Sequence, residues 1–189
     1  MHYRRADLKD IPAVKNLQKK YHVSTISEED KKDGFVTTLF TQEQFKELIE
    51  EEDGLFIATD NGEIIAYAMA ASWDYWSAWP LFQLMIEDLP STEYLGTTLS
   101  TENSYQYGPI AIEKDYRGTE VLPNLFEFAK RKMHKKYPIL ITFINSTNPR
   151  SLRAHEKLGL DTIKTFEFND NTYYELGFDT SERTNGSNI

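Results

Sequence analysis

The sequence predicts an α/β (α+β) fold, with a mixed, mostly antiparallel central sheet and helices on both faces. Three observations predict it. Strand-like segments flank tight turns at Asn61-Gly62 and at 169–171, as in antiparallel hairpins. Between these hairpins, apolar strands alternate with helical segments, as in a parallel crossover. The 189 residues suit one domain, which we place at residues 1–178.

The N-terminal half is predicted to form a strand, two helices and a hairpin. Asp7 or Asp10 can cap the first helix, and Pro12 is tolerated in its first turn, where no N–H donor is needed. Thr41 opens the second helix and Gly54 ends it. In order, the predicted elements are a strand at 2–6, a helix ending at 21, a polar irregular segment at 22–40, a helix at 41–53, and strands at 55–59 and 64–71.

The C-terminal half is predicted to alternate strands and helices before a closing hairpin. Gly108-Pro109 interrupts the first strand, and a proline within a strand indicates a bulge or an edge position. The polar residues 179–189 are predicted to form a flexible tail. The predicted elements are a strand at 104–112, a helix at 119–136, a strand at 139–144, a helix at 148–159, and strands at 161–168 and 172–178.

Residues 72–103 break this alternation as an aromatic-rich insert. Residues 80–87 have a helical pattern, and the rest is predicted as loop. The aromatic side chains either wall a substrate pocket beneath a lid or form a satellite core or a homodimer contact, and the sequence leaves these alternatives open. The five aromatic residues in ten positions are Trp73, Tyr75, Trp76, Trp79 and Phe82.

Charge and composition limit the classes of partner. With 21 Lys and Arg against 30 Asp and Glu, the formal net charge is −9, which argues against a nucleic-acid partner. The basic run at 130–136 is interpreted as the C-terminal end of a helix, where cations complement the helix dipole. No segment approaches about 20 apolar residues, so we expect no membrane partner, and we expect no signal peptide. The absence of cysteine excludes thiolate chemistry and suits the cytoplasm, where we expect the protein.

The first candidate functional segment, residues 108–118, joins a strand to the start of a helix. Free N–H groups at a helix start form a ready anion site. Arg117 adds positive charge and Gly118 allows close backbone approach, so a phosphate-bearing ligand fits there. An ordinary strand-loop-helix connection has the same spacing, and spacing alone does not separate the two.

The second candidate segment, residues 148–160, has the pattern of a well-capped helix. Asn148 can cap its start, and Gly159 suits its C-terminal end. Ser151 and His155 share one face, because they are four residues apart. A lone histidine on such a face is either a packed or solvated residue or a catalyst.

In this order and about thirty residues apart, the two segments resemble the motifs of the GNAT superfamily of acyl-coenzyme A-dependent N-acyltransferases. The resemblance covers residues 2–178, with 72–103 as an unmatched insert. It implies the family's fold, in which two central parallel strands splay apart. The motifs that carry it are Ile110-Ala111-Ile112, Asp115-Tyr116-Arg117-Gly118 and Asn148-x-x-Ser151-x-x-Ala154-His155-Glu156-Lys157-Leu158-Gly159.

The resemblance also implies acetyl-coenzyme A as co-substrate and no metal. The pantetheine arm would pair with the backbone of 110–112, and the pyrophosphate would lie over 117–122. A backbone N–H near Ile112 would stabilise the oxyanion while an amine attacks the thioester directly. The implied cofactor-binding residues are Ile110, Ala111, Ile112, Arg117, Gly118, Thr119, Glu120, Val121, Leu122, Asn148 and Ser151.

Two features depart from the family's pattern. Glu120 and Leu122 stand where the phosphate loop usually has small residues. A carboxylate beside a pyrophosphate repels it by about 1 kcal/mol or more, unless Glu120 points outward. At position 155, many members carry a tyrosine that protonates the departing thiolate. An imidazole can do the same work or can merely pack against the sulfur.

The remaining site predictions concern the acceptor amine. A general base is sought on or before the strand at 104–112, where Gln106 stands near the place of a glutamate in some relatives. Acidic residues of the insert could attract a polyamine, an amino sugar or a lysine-bearing protein; they are Glu87, Asp88 and Glu93. The predicted catalytic residues are His155, Tyr107 and Glu102. The predicted substrate contacts are Trp73, Tyr75, Trp76 and Tyr105.

We therefore expect an N-acetyltransferase that moves an acetyl group from acetyl-coenzyme A to a primary amine of a small molecule or peptide. One alternative is a non-catalytic acyl-coenzyme A-binding or sensor domain on the same scaffold, which Glu120 and Leu122 motivate. Another is an interaction domain that uses the aromatic insert as a docking surface.

Overall fold

The computed structural model describes residues 1–31 and 34–189 and is built on a seven-stranded sheet. The strands are β1 (His2–Arg5), β2 (Leu55–Asp60), β3 (Glu63–Ala71), β4 (Glu93–Tyr94), β5 (Thr97–Thr98), β6 (Ser104–Ile112), β7 (Ile139–Asn145), β8 (Asp161–Phe168) and β9 (Asn171–Asp179). The order in the sheet is β1-β2-β3-β6-β7-β9-β8, and β4 pairs with β5 separately. Among the described residues, every neighbouring pair in the large sheet is antiparallel except the parallel pair β6 and β7. The predicted mixed, mostly antiparallel sheet is confirmed.

Helices cover both faces of this sheet, as predicted. The α-helices of the described chain are α1 (Ile11–Lys20), α2 (Glu28–Lys31), α3 (Gln42–Glu50), α4 (Trp73–Trp76), α5 (Pro80–Asp88), α6 (Val121–His134) and α7 (Pro149–Leu158). Apolar residues of α1, α3, α4 and α5 share one core cluster. Those of α6 and α7 share the cluster on the other face. Burying an apolar stripe of each helix against the sheet is what stabilises such a layered fold.

The two central strands separate before they reach their ends. The parallel ladder between β6 and β7 pairs Ser104 with Ile139 and ends at Gln106 with Ile141. Beyond Gln106, the partners of β6 lie on β3 alone, so a gap opens between β6 and β7. This is the predicted splay of the parallel pair.

A bulge in β6 accompanies the splay. The register with β3 runs from Ala70 opposite Tyr107 to Ala68 opposite Ile110, so β6 carries an extra residue at this point. Gly108 has φ +100°, a left-handed conformation that glycine adopts without steric cost. Of the two alternatives for Gly108-Pro109, the bulge is therefore correct, and the strand is central rather than at an edge.

Two segments have more structure than the sequence indicated. The segment 22–40 contains α2 and an isolated bridge between His22 and Val36; its Lys32 and Asp33 lie outside the described residues. The insert contains α4 and the β4–β5 hairpin where a loop was predicted. Ser72 caps α4 by accepting a hydrogen bond from the Tyr75 N–H, and this cap was not predicted.

Residues 180–189, which were predicted to form a flexible tail, pack against α6. The Thr184 N–H donates to Glu127 at 3.0 Å, and the Asn188 N–H donates to Asn124 at 2.8 Å. Thr184 is itself buried. Asn124, Glu127 and Lys130 form a polar stripe on α6 that is buried under the tail. A polar tail docks here because buried polar groups need partners.

Candidate active site

Two cavities meet at the gap between β6 and β7. The first, which we call the α7 cleft, has a volume of about 540 Å³ and lies between the end of β6, the start of α6 and the length of α7. The second, which we call the aromatic pocket, has a volume of about 420 Å³ and lies beneath the insert. Six residues belong to both described walls and mark the junction: Phe35, Val36, Ile110, Asn148, Ser151 and His155. A ligand could reach from one cavity into the other.

The edge of β6 offers backbone groups to the gap. The Glu113 N–H donates to the Ile65 carbonyl of β3 at 2.8 Å. Because successive residues of a strand point their backbone groups to alternate sides, Ala111 also faces β3, whereas Ile110 and Ile112 face the gap. Arg117 Nε donates to the Ile112 carbonyl at 2.9 Å. The N–H groups of Ile110 and Ile112 therefore point to where the ladder with β7 has ended.

The loop before α6 forms one end of the α7 cleft. Arg117, Gly118, Thr119 and Leu122 belong to the described wall of this cavity. Thr119 Oγ1 accepts from the Val121 N–H at 3.3 Å and donates to the Tyr116 carbonyl at 2.7 Å, which fixes the helix start. Arg117 lies over the ring of Tyr21, 4.5 Å from its centroid.

Two residues predicted to bind the cofactor, Glu120 and Val121, lie outside the described wall of the cleft. Val121 is fully buried in the core below α6. Glu120 accepts a hydrogen bond from Asn188 Nδ2 at 2.9 Å, so its carboxylate is engaged by the tail. The outward orientation of Glu120 is thus observed, and Glu120 no longer supports the sensor alternative. Leu122 does line the cleft.

The α7 cleft is cationic, although the whole chain is acidic. Four cationic side chains contribute to its wall, and no Asp or Glu belongs to the described part of that wall. Three of them project from α7 and were missed, although their spacing of three and four residues places them on one helix face. The four residues are Arg117, Arg150, Arg153 and Lys157.

His155 is held in one tautomer at the junction. Asn148 Oδ1 accepts from the Ser151 N–H at 3.2 Å and so caps α7 as predicted. One turn later, His155 Nδ1 lies 2.8 Å from the Ser151 carbonyl. Since a carbonyl can only accept, the proton is on Nδ1, and Nε2 is the basic nitrogen. Burial lowers the pKa of His155, partly offset by this hydrogen bond, and so favours the neutral ring.

The other predicted catalytic residues do not form a base at the junction. Tyr107 lines the aromatic pocket, with its ring centroid 6.3 Å from that of His155. Burial raises the pKa of Tyr107 far above its usual value, which keeps the phenol protonated. Glu102 is exposed and precedes β6 at the end away from the gap, so it lies in neither described wall. The assignment of Glu102 to catalysis is therefore corrected.

All four predicted substrate contacts, Trp73, Tyr75, Trp76 and Tyr105, lie in the core rather than in the described wall of the aromatic pocket. Two of these side chains have hydrogen-bond partners in the core. Trp73 Nε1 donates to Ser104 Oγ at 2.9 Å, and Tyr75 OH donates to the Gln44 carbonyl at 3.1 Å. Trp73, Tyr75 and Trp76 of the insert belong to the core cluster that covers one face of the sheet.

The rest of the insert does reach the pocket. Trp79 and Phe82 belong to the wall of the aromatic pocket. Glu87, Asp88 and Glu93 do not contribute to either described wall, and Asp88 forms an ion pair with Lys164. The acidic residues of the insert are thus not placed to attract an amine.

The splayed parallel pair and the cationic cleft beside it define an acyltransferase of the kind that the two motifs resemble. Residues 11–160 match the model of the Acetyltransferase (GNAT) family. The chain belongs to this family and is an acyltransferase. A search of curated proteins finds no match.

Many solved structures share this fold at low sequence identity. A protein from Streptococcus mutans UA159, smu.2055, is 17% identical with a TM-score of 0.65, covering 95% of this chain and 99% of its own. The ribosomal-protein-alanine N-acetyltransferase from Brucella melitensis is 15% identical with a TM-score of 0.62, and the match covers 95% of this chain and 99% of that protein's chain. The putative acetyltransferase yncA from Salmonella typhimurium, solved with acetyl-coenzyme A, is 12% identical with a TM-score of 0.62. The match covers 100% of this chain and 99% of that protein's chain.

Two features are absent from the part of the chain that the structure describes. No helix there is long and apolar enough to cross a membrane. No cluster of three or more His, Asp or Glu side chains that could hold a metal was found in residues 1–31 and 34–189. Cytoplasmic location and homodimer formation stay predictions.

Proposed function

We propose that this chain transfers an acetyl group from acetyl-coenzyme A to a primary amine within a ternary complex. One observation carries the proposal. A cationic cleft and an uncharged pocket meet at one gap, and His155 belongs to both walls. Two reagents can therefore meet at a titratable group without a covalent enzyme intermediate, and holding them together is itself a large part of catalysis.

The α7 cleft suits acetyl-coenzyme A. Arg117, Arg150, Arg153 and Lys157 would hold the phosphate groups, because Lys and Arg pair strongly with phosphate oxygens. The Ile112 N–H, which faces the α7 cleft, would pair with the amide-bearing arm as a missing strand would. Asn148 and Ser151 would border the arm at the start of α7. When bound, acetyl-coenzyme A supplies a thioester that an amine can attack directly.

His155 would act as a proton carrier at the junction. As a neutral ring with its proton on Nδ1, it can accept the proton that leaves the attacking amine nitrogen at Nε2. The resulting imidazolium can give that proton to the departing sulfur, so the ring returns to its first state. The Ile110 N–H, which lies at the junction with His155, would stabilise the negative charge that develops on the carbonyl oxygen.

Calorimetric titration with acetyl-coenzyme A tests the proposal. We expect saturable binding in the micromolar range, and weaker binding for Arg153→Ala and Lys157→Ala. Lys46→Ala is the matched control, because Lys46 lies on α3 and pairs with Glu50 outside both walls. Absence of any heat of binding at high micromolar ligand would remove the enzyme proposal.

A further inference from the structure

The aromatic pocket has a continuous wall of aromatic rings. Neighbouring centroids lie 5.4 Å apart for Phe40 and Trp79, 6.3 Å for Trp79 and Phe82, 5.5 Å for Phe82 and Phe143, and 5.6 Å for Phe143 and Tyr173. These rings are supplied by the loop after α2, the insert, β7 and β9. Aromatic rings bury large apolar areas and dominate the binding energy of such pockets.

The described wall of this pocket contains no Asp, Glu, Lys or Arg side chain. Its one titratable imidazole, His155, is kept neutral by burial, as its lowered pKa indicates. This contrasts with the four cations around the α7 cleft. Moving an ammonium group out of water is costly without a paired charge or a full set of hydrogen bonds. A ligand with several ammonium groups therefore does not fit this wall.

Among the amide side chains of the described wall, one has a buried acceptor without a partner. Gln106 is 1% exposed, and its Nε2 donates to the Tyr107 carbonyl at 2.5 Å. The carbonyl can only accept, so the amide nitrogen must face it, and Oε1 is the remaining atom. Among the described residues, Gln106 Oε1 has no hydrogen-bond partner. A buried acceptor of this kind gains from an N–H donor supplied by a ligand.

Building on the acetyl transfer proposed above, we propose that the aromatic pocket takes a small primary amine whose carbon skeleton is aromatic or bulky and apolar. The nitrogen would lie at the junction, donating to Gln106 Oε1 near His155, and the skeleton would lie against the rings. The amine must lose one proton to become a nucleophile, and an uncharged pocket favours that form. Polyamines and amino sugars, which carry several charges, are excluded by the same chemistry.

The experiment compares amines as acetyl acceptors by following release of the coenzyme A thiol from the full chain. The panel contains 2-phenylethylamine, spermidine, an amino-sugar antibiotic and a short peptide that begins with phenylalanine. We expect kcat/KM for 2-phenylethylamine to exceed that for spermidine and the amino sugar by at least about tenfold. The peptide tests whether the same side-chain chemistry is presented by a polypeptide instead.

Variants of the wall connect the selectivity to the pocket. Trp79→Ala should raise KM for 2-phenylethylamine about tenfold with acetyl-coenzyme A affinity unchanged, and Trp79→Phe should restore most of the loss. Trp79 also packs against Trp76, at 5.6 Å between centroids, so Trp79→Ala could fail to fold. Phe168→Ala, at the β8 side of the same wall, is then the second variant, with the same expected rise in KM.

The outcomes separate this inference from the proposed function. Binding of acetyl-coenzyme A with preferential acetylation of spermidine or the amino sugar would overturn the inference and leave acetyl transfer standing. Preference for the peptide by about tenfold, or binding without acetylation of any amine, would also overturn it. Absence of acetyl-coenzyme A binding would remove the proposed function itself, and this inference with it.

Discussion

At the scale of single residues, the position of one proton decides how His155 can act. The backbone carbonyl of Ser151 fixes the ring orientation and keeps the proton on Nδ1. An isolated acid that protonates the thiolate, as the sequence suggested, would need its proton on Nε2. A neutral ring that first accepts a proton and then returns it satisfies both the tautomer and the lowered pKa.

His155→Ala should lower kcat by about a hundredfold to ten-thousandfold, the usual contribution of a positioned acid–base group. Acetyl-coenzyme A affinity should change little, because the phosphate-binding cations remain. His22→Ala is the matched control, because His22 bonds to Ser24 and to the Thr37 carbonyl and belongs to neither described wall. Single-turnover rates with a saturating amine give the comparison. Equal rates for His155→Ala and the unmodified chain would contradict the role.

Glu175 on β9 is a second buried titratable residue, outside both described walls. Burial raises its pKa from 4.5 to about 7, opposed by Lys164 and reinforced by Asp88. Lys164 Nζ lies 3.8 Å from the Glu175 carboxylate. The folded chain therefore holds a proton on Glu175 at pH values where the unfolded chain has released it.

We expect the stability attributable to Glu175 to be highest below pH 4.5 and to fall as the pH rises towards 7. The total fall is about 3 kcal/mol, since each pKa unit corresponds to about 1.4 kcal/mol. Urea unfolding of the unmodified chain and Glu175→Gln at several pH values should show this difference between them. Glu167→Gln, on the exposed side of β8, should follow the unmodified chain. A parallel pH dependence for Glu175→Gln would contradict the raised pKa.

At the scale of elements, the tail and α6 stabilise one another. Hydrogen bonds from Thr184, Lys130 and Arg131 overcome the effect of burial and lower the pKa of Glu127 to about 2. Lys130 is 2% exposed and donates to the Glu182 carbonyl of the tail. The tail also supplies Asn185 and Gly186 to the wall of the α7 cleft.

Deleting residues 182–189 should destabilise the chain by about 2–4 kcal/mol, because buried polar groups on α6 lose their partners. It should also weaken acetyl-coenzyme A binding by opening the cleft. Urea unfolding and calorimetry measure the two effects. The control is Asn188→Ala, which removes the bond to Glu120 but keeps the backbone donor to Asn124. A truncated chain as stable as the full chain would contradict the structural role of the tail.

Periodicity predicted most helices and strands, because apolar spacing reports which face is covered. It placed Val121 and Met133 correctly on the buried face of α6. It could not predict the docked tail, since Asn124, Glu127 and Lys130 look like solvent-facing residues until a partner covers them. Ser72 and the β4–β5 hairpin were likewise missed, because they depend on local hydrogen bonds within the insert.

At the scale of the whole molecule, positive side chains are concentrated at the α7 cleft although the chain as a whole is acidic. The chain has a net charge of −9, yet four cations and no described carboxylate surround the α7 cleft.

Raising salt to about 0.5 M should therefore weaken acetyl-coenzyme A binding several-fold, because screening acts on charged ligands. KM for an apolar amine should change little, because the aromatic pocket is uncharged. Titrations and initial rates at two salt concentrations measure both. Equal sensitivity of the two ligands would contradict this distribution of charge.

The sequence motifs located the junction but not all of its walls. Ile110, Ser151 and His155 were found because local motifs carry them. Glu102 was misplaced because nearness along the strand is not nearness to the gap, which opens only beyond Gln106. Trp73 and Trp76 were misassigned because composition does not reveal buried partners such as Ser104 for Trp73. Such long-range pairings require the tertiary structure.

The short parallel ladder between β6 and β7 divides the sheet into two halves that are joined only at one end of these strands. One half consists of β1, β2, β3 and β6, and α6 packs against the first three of these strands. The other half consists of β7, β9 and β8, and α7 packs against β7. Amide hydrogen exchange should be fast at Ile110 and Ile112 and should slow when a strand-like molecule fills the gap. A ligand bound in the gap would then stabilise the whole sheet, including strands that lie far from the reacting atoms.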